Sequence, residues 1–266
     1  MIATERLRAA LRGVAWPHLG DGARRVRRLA LDLLLPTACV ACDRVLDTGE
    51  DDVVCGRCWS RAGELPYPRC DRCGHPTRGR ACAWCALLPP FVRAVRSVCW
   101  AHDGAGRDIV HALKYGGWER AAEGMAARMA RAAWPRDVRE ERAALVPVPL
   151  SAGRRRERGY NQSERLAAAL GARLGVAVWD DVVARARDTP SQTRLTPEQR
   201  LSNVSGAFRA VAGDDARLSG AHLVLVDDVV TTSATLNACA AALFAAGARI
   251  LSYATFGRAP TPADRT

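Results

Sequence analysis

Ten cysteines occur in this 266-residue chain, and eight of them form CxxC pairs. A CxxC pair places two thiolates on one tight turn, and two such turns close a tetrahedral zinc site. The 12, 11 and 8 residues between successive pairs allow short hairpins, so neighbouring pairs are expected to combine into two stacked zinc ribbons. Crossed pairing, first with third and second with fourth, is the open alternative. The predicted ligands of about two structural zinc ions are Cys39, Cys42, Cys55, Cys58, Cys70, Cys73, Cys82 and Cys85.

Cysteine fills every predicted ligand position, which indicates a structural or interaction role and not a catalytic zinc. His75 is expected at the surface, and Cys239, in an Ala-rich helical stretch, is expected in the core. Trp59, Tyr67 and Trp84 lie among the cysteine pairs. These aromatic residues fit two interpretations, the small core of this module or stacking platforms for single-stranded nucleic acid.

A second candidate site lies in the segment HLVLVDDVVTTSATL, residues 222–236. Its apolar run, Leu223–Val226, predicts a buried parallel strand that carries Asp227 and Asp228 to the carboxyl end of a sheet, where α/β proteins bind ligands. Small residues then precede a predicted helix over Ala234–Ala246, whose N-terminal N–H groups and nearby hydroxyls suit an anion. Carboxylates beside such a cradle indicate a sugar phosphate. The predicted phosphate-binding residues are Thr231, Thr232, Ser233, Ala234 and Thr235.

The segment LVLVDDVVTTSATL resembles the phosphoribosyl-pyrophosphate (PRPP) signature of type I phosphoribosyltransferases. The flanking sequence is similar to the ComF family in particular, and the resemblance extends from about Leu29 to Arg258. It is carried by LKYGG at 113–117, VPVPL at 146–150, RRRERGYNQ at 154–162, and by Gln192, Arg200, Asn203 and Phe208.

The resemblance implies an α/β fold, with a type I phosphoribosyltransferase-like parallel sheet and flanking helices preceded by a small Cys-rich zinc-ribbon domain. The expected organisation is an N-terminal basic helical arm at 1–35, a double zinc ribbon at 36–90, the phosphoribosyltransferase-like domain at 91–260 and a tail at 261–266. With 48% apolar residues, the chain is long enough to build a core of this size.

The resemblance also implies the chemistry of the second site. Asp227 and Asp228 are expected to be the catalytic pair that holds the ribose of PRPP, with Mg²⁺ as cofactor. In the loop predicted over 151–162, Arg158 and Asn161 match the family and are expected to bind the pyrophosphate, in preference to Arg155. The segment 185–208 is expected to form a hood over the site.

Two single residues carry further expectations. Ser233 stands where the family usually has glycine, and its Cβ disfavours positive φ, which is expected to weaken phosphate binding. Lys114 is the single lysine beside 38 arginines, which predicts that a compact ammonium is required there and points into the phosphate site. The alternative is a lysine that completes a helix C-terminus near Gly116 and Gly117.

The formal net charge of +11 is unevenly distributed. Residues 1–35 hold seven arginines and three acids, whereas residues 36–90 hold seven of each. The excess therefore lies in the arm and the phosphoribosyltransferase-like domain, where the arginines of 154–158 are expected to face a diphosphate. Within the arm, Gly22–Leu35 is predicted to be an amphipathic helix, either a cap for the core or a surface for anionic lipid or DNA.

The paired cysteines favour a reducing compartment. The longest apolar run near the start, Leu29–Leu35, contains Asp32 and falls short of the roughly 20 residues that a membrane span needs. A signal peptide is not expected either. The predicted location is the cytoplasm, with peripheral association at the inner face of the membrane as an extension of it.

Three functions are consistent with these residues. The first is Mg-dependent transfer of phosphoribose from PRPP to an acceptor, for example in nucleotide salvage. The second follows from the ComF resemblance and is a role in competence, with single-stranded DNA and a DNA-uptake helicase or membrane channel protein as partners. The third is a sensor that binds PRPP without turnover, which explains Ser233 most simply.

Overall fold

The computed structural model describes residues 37–46, 53–77, 82–186, 206–213, 215–260 and 264. The predicted arm at 1–35 lies outside the described residues. So do Gln192, Arg200 and Asn203 of the predicted hood. In the described residues, no helix is long and apolar enough to cross a membrane.

A five-stranded parallel sheet forms the centre of the molecule, with strand order β1-β7-β6-β2-β3. A separate antiparallel pair, β4 and β5, joins the chain on either side of the predicted hood. The strands are β1 (Val92–Trp100), β2 (Arg142–Pro147), β3 (Ala177–Val178), β4 (Val183–Arg185), β5 (Phe208–Ala210), β6 (His222–Val230) and β7 (Ile250–Arg258).

Helices cover both faces of the sheet. They are α1 (Gly56–Arg61), α2 (Gly104–Tyr115), α3 (Ala121–Met129), α4 (Arg136–Glu141), α5 (Ala152–Arg158), α6 (Gln162–Leu174), α7 (Asp215–Leu218) and α8 (Ala234–Ala245), with a short 3₁₀ helix at Ala83–Leu87.

Strand β6 is buried on both faces, as its continuous apolar run predicts. Val224 and Val226 pack into the core that includes α2, α3 and α6, whereas Leu223 and Leu225 pack into the core that includes α8. This alternation fixes which way the strand faces, and it brings Asp227 and Asp228 to the carboxyl end of the sheet.

Three predicted elements differ from the structure, two strands in their ends and one loop in its content. The strand predicted over Leu223–Val226 runs from His222 to Val230, and the one predicted over Val146–Leu150 runs from Arg142 to Pro147. The predicted loop 151–162 is wrong in part, since it contains α5. Ser151 caps this helix by accepting a hydrogen bond from the Arg154 N–H, and Gly159 ends it at φ +83°.

The cysteine-rich segment covers the outer edge of the sheet at β1. The Val95 N–H donates to the carbonyl of Arg72 over 2.9 Å, and the Leu65 N–H donates to the carbonyl of Val98 over 2.8 Å. Gly74 makes this approach possible, because a Cβ at that residue would lie 2.7 Å from the Val95 carbonyl oxygen. The edge strand is therefore paired along part of its length and not open to solvent.

Candidate functional site

The eight paired cysteines form two clusters, each made from neighbouring CxxC pairs. In each cluster the four Sγ atoms lie within 4.8 Å of one another, which confirms neighbouring pairing and excludes the crossed arrangement. The clusters are Cys39, Cys42, Cys55 and Cys58, and Cys70, Cys73, Cys82 and Cys85.

The sulfur positions fit tetrahedral zinc. A zinc–sulfur bond of about 2.3 Å gives a sulfur–sulfur edge of about 3.8 Å. The Sγ atoms of Cys42 and Cys55 are 3.8 Å apart, and those of Cys70 and Cys85 are 3.5 Å apart. All four positions of each cluster are cysteines, so the sites are closed and structural.

The aromatic residues of the ribbons divide between the two interpretations. Trp59 and Trp84 are 8% and 3% exposed and belong to the cores shared with the sheet, so they are not stacking platforms. Tyr67 is 73% exposed, so it is the one of these three residues that is open to a stacking partner.

The expectation of a surface His75 is wrong, because its ring is buried and parallel to Trp84, and its Nε2 lies 3.1 Å from the Asp264 carboxylate.

A cavity of about 490 Å³ opens at the carboxyl end of the sheet, where β2 and β6 end. Its charged lining combines Glu157 and the predicted acids, Asp227 and Asp228, with four cations. The cations are Lys114 from the end of α2, Arg154 and Arg158 from α5, and Arg185 from β4. Side chains from distant parts of the chain thus meet where the sequence predicts a sugar-phosphate site.

The two acids are held differently. One Asp227 oxygen accepts hydrogen bonds from the Ser163 hydroxyl and from the Asp228 N–H, both over 2.9 Å. Burial first, and the charge of Asp228 second, raise the pKa of Asp227 to about 7. Asp228 is 3% exposed and pairs with the Lys114 ammonium over 2.9 Å. The pair therefore combines a carboxylate neutralised by lysine with one that titrates near neutral pH.

Lys114 lies in the last turn of α2 and lines the cavity, where its ammonium pairs with the Asp228 carboxylate over 2.9 Å. This position agrees with the first interpretation, whereas the bond that closes the helix end comes from the Gly116 N–H, which donates to the Ala112 carbonyl. Ser163 in the first turn of α6 was not predicted, although its hydroxyl holds Asp227. No pattern in the sequence marks it, because the contact joins residues 64 positions apart.

The loop after β6 brings two of the five predicted phosphate-binding residues to the cavity. Thr231 and Thr235 line the cavity, and Ala234 begins α8. Ser233 adopts the left-handed conformation, φ +62°, that the family's usual glycine adopts more easily. Among the described residues, the hydroxyls of Thr232 and Ser233 are buried without a hydrogen-bond partner.

The arginine-rich segment supplies two cations to the cavity. Arg154 and Arg158 line it, and Arg158 lies 4.9 Å from the ring of Tyr115. In the described chain, Nε and Nη1 of Arg158 are buried without a hydrogen-bond acceptor. Arg155 forms a two-pronged ion pair with Glu164 outside the lining, which favours Arg158 over Arg155 as predicted.

Asn161 has a positioning role in the structure. It is 1% exposed and caps α6, accepting from the Ser163 N–H over 3.0 Å and donating to the Val148 carbonyl over 3.1 Å. It is absent from the cavity lining. Contact between Asn161 and pyrophosphate stays a prediction that this geometry does not favour.

The acid pair fits Mg²⁺, which prefers oxygen ligands and is usually held by one or two carboxylates together with substrate phosphates. Both carboxylates line the cavity, and within the described residues Oδ2 of Asp228 has no hydrogen-bond partner. Asp227 and Asp228 are therefore the residues that would hold the ion.

Comparison with known proteins places both parts of the chain. Residues 30–88 match the family model described as a double zinc ribbon domain. DNA utilization protein YhgH of Salmonella typhimurium LT2 is 33% identical over 205 residues, covering 73% of this chain and 86% of that protein. The protein of the same name from Escherichia coli K12 is 31% identical over 227 residues, covering 81% and 94%. Competence protein F of Haemophilus influenzae Rd is 36% identical over 94 residues, covering 35% and 41%.

Two solved structures overlap with the chain at 17% identity. The protein TT1426 from Thermus thermophilus gives a TM-score of 0.30 and covers 55% of this chain and 77% of its own. An alanine mutant from work on an invariant aspartic acid in HPRTs gives 0.29, covering 56% and 67%. Scores this low do not by themselves establish a shared fold.

The predicted α/β architecture is confirmed: a five-stranded parallel sheet with flanking helices follows a cysteine-rich double zinc ribbon. The YhgH proteins match over more than two thirds of this chain and of their own length. Together with the shorter match to competence protein F and the ribbon match, they show that the chain belongs to the ComF family.

Proposed function

We propose that the chain binds PRPP together with Mg²⁺ in the cavity at the carboxyl end of the sheet. The observation that carries this proposal is the meeting of Asp227 and Asp228 with Lys114 and Arg158 around one cavity, beside a loop that begins a helix. The carboxylates suit the ribose hydroxyls, and the cations and the helix N-terminus suit the phosphates. Each of these features is common by itself, and it is their combination in one cavity that supports a sugar phosphate as the ligand.

The same residues support transfer of the ribosyl group. Loss of a leaving group from the anomeric carbon passes through an oxocarbenium-like transition state. Asp227 and Asp228 would offset the positive charge on the sugar, whereas Arg158 and Arg154 would offset the negative charge on pyrophosphate. Mg²⁺, when bound, would add positive charge beside the leaving oxygens.

Calorimetric titration with PRPP and Mg²⁺ tests the binding proposal. We expect the wild type to bind, and Asp227→Asn/Asp228→Asn to lose at least about tenfold in affinity, because charge-assisted hydrogen bonds and ion ligands are removed. Asp180→Asn/Asp181→Asn is the matched control, since this acidic pair lies outside the cavity lining. Absence of binding by the wild type, or equal loss in the control, would refute the proposal.

The pKa of Asp227 gives the titration a pH dependence. At pH 8 its carboxylate is mostly ionised, and at pH 6, one unit below a pKa of about 7, about nine tenths of it is protonated. We expect wild-type affinity to fall up to about tenfold between pH 8 and pH 6. Asp227→Asn should show a shallower fall, which separates this group from titration of the ligand's own phosphates.

Release of pyrophosphate over a panel of nucleobases divides an enzyme from a sensor. Turnover with one base would support a salvage-type phosphoribosyltransferase, and binding of PRPP without release of pyrophosphate would support the sensor.

The names of the relatives favour a second proposal, that this site acts in DNA uptake or use. For that role we expect affinity for single-stranded DNA to fall steeply with salt and to weaken when residues 1–35 are removed. Affinity indifferent to both would contradict it.

A further inference from the structure

Arg258 is a fully buried cation at the end of β7, where the sheet meets the second ribbon. Its side chain is 0% exposed. Its Nη2 donates a hydrogen bond to the carbonyl of Cys73, a zinc ligand, and its guanidinium carbon lies 4.2 Å from the ring centre of Trp84. Burial lowers the pKa of Arg258 to about 10, which still leaves the guanidinium charged at neutral pH.

A buried charge of this kind needs a partner of opposite sign. In the described chain, Nε and Nη1 of Arg258 make no hydrogen bond. The acidic groups near it are the thiols of Cys73 and Cys82, when ionised, and the carboxylate of Asp264. Asp264 also contacts His75, and the charge of Arg96 repels Arg258. Four thiolates around one Zn²⁺ carry two excess negative charges, so the metal-bound cluster is the largest of these partners.

The first ribbon provides an internal comparison. There Arg128 of α3 lies 3.5 Å from the ring centre of Trp59, so each ribbon docks through a tryptophan covered by an arginine of the sheet domain. The Nη1 of Arg128, however, donates to the carbonyl of Gly124 in its own helix. The cation–π contact is common to both ribbons, and Arg258 adds a hydrogen bond to the carbonyl of a zinc ligand.

We propose that Arg258 is the buried counter-charge of the second zinc–thiolate cluster and holds zinc in it from the sheet side. The guanidinium stabilises the cluster through its charge and fixes the Cys73 turn through the carbonyl. Conversely, the loaded cluster neutralises a cation that the sheet buries. This proposal does not depend on PRPP binding.

Challenge of the zinc-loaded protein with a coloured chelator tests the role of Arg258. In Arg258→Met, which keeps the length of the side chain without its charge, we expect one of two zinc equivalents to leave at least about tenfold faster, the usual effect of losing an outer-shell partner. In Arg258→Lys, which keeps the charge, release should stay within about threefold of the wild type. Arg128→Met is the matched control and should release both equivalents at the wild-type rate.

Thiol alkylation followed by mass spectrometry identifies the cluster that opens. The proposal expects labelling of Cys70, Cys73, Cys82 and Cys85 in Arg258→Met, with the first cluster protected. Wild-type release from Arg258→Met, or equal acceleration in Arg128→Met, would overturn it. If Arg258→Met does not fold, Arg258→Lys decides. Zinc release near the wild-type rate would support the role of the positive charge, and release about tenfold faster than from the wild type would refute it.

Discussion

Ser233 places a residue with a side chain where the backbone takes a left-handed turn. Its φ of +62° costs a non-glycine residue about 1–2 kcal/mol, and its buried hydroxyl has no hydrogen-bond partner among the described residues. Glycine relieves both, but it also loses more conformational entropy on folding, by about 0.5–1 kcal/mol. We expect Ser233→Gly to be more stable by about 1 kcal/mol, an increase in Tm of about 2–4 °C in thermal denaturation.

Ser233→Ala is the control for this change, because alanine removes the hydroxyl and keeps the Cβ. The backbone explanation requires the glycine variant to be more stable than the alanine variant. Equal stability of the two variants would assign the effect to the hydroxyl instead. The weaker phosphate binding expected from Ser233 stays a prediction, which PRPP titration of the glycine variant would measure.

Helix α6 depends on Asn161 for its start and for its link to β2. The Asn161 side chain accepts from the Ser163 N–H and donates to the Val148 carbonyl, so one residue caps the helix and ties it to the chain that leaves β2. Loss of an N-cap costs about 1 kcal/mol, and an unsatisfied buried carbonyl costs about 1–3 kcal/mol. We expect Asn161→Ala to lower the free energy of unfolding by about 2–3 kcal/mol in urea.

Asn161→Ser separates the two contributions, because serine keeps a cap acceptor and loses the amide that donates to Val148 and to Glu164. It should fall between the wild type and alanine in stability. Because Ser163, two residues on, holds Asp227, the alanine variant should also bind PRPP more weakly. A full loss of PRPP binding with unchanged stability would instead indicate that Asn161 contacts the ligand.

The sequence is informative about elements where the pattern is local. A continuous apolar run predicts β6, and the CxxC spacing predicts both metal clusters. Helix α5 has no apolar face, so its arginine-rich sequence predicts a loop, although Ser151 and Gly159 mark the two ends of the helix. His75 shows what local pattern leaves out, because its burial depends on Trp84 and on Asp264, 189 residues away.

At the scale of the whole molecule, the zinc ribbons and the sheet share their cores. Trp59 of the first ribbon packs edge-on against Phe256 of β7, with 6.1 Å between ring centres, and Trp84 belongs to the core that includes Tyr253. Backbone hydrogen bonds from Leu65 and Val95 join the ribbon segment to β1. A ribbon that loses its metal therefore removes packing from the sheet and reopens its edge.

This shared core predicts that the zinc ribbons and the sheet unfold together. Structural zinc contributes about 10–16 kcal/mol to the folding of small zinc-finger peptides, which is comparable to or greater than the whole stability of a typical domain, about 5–15 kcal/mol. We expect the loaded protein to unfold in one calorimetric transition, and Cys58→Ser and Cys82→Ser, one from each cluster, to lower its Tm by at least about 10 °C. Cys239→Ser, a buried cysteine outside both clusters, is the control for loss of a core thiol and should lower Tm less. Two separate transitions, with the sheet unfolding at the wild-type temperature in both cluster variants, would show instead that the ribbons fold independently of the sheet.

The contacts of β7 favour cooperative unfolding, because this strand carries both Phe256, which packs on the first ribbon, and Arg258, which is bound to the second. The same strand pairs with β6 from His222 to Val230, the strand that carries Asp227 and Asp228, so metal loss in either ribbon should also reduce PRPP affinity.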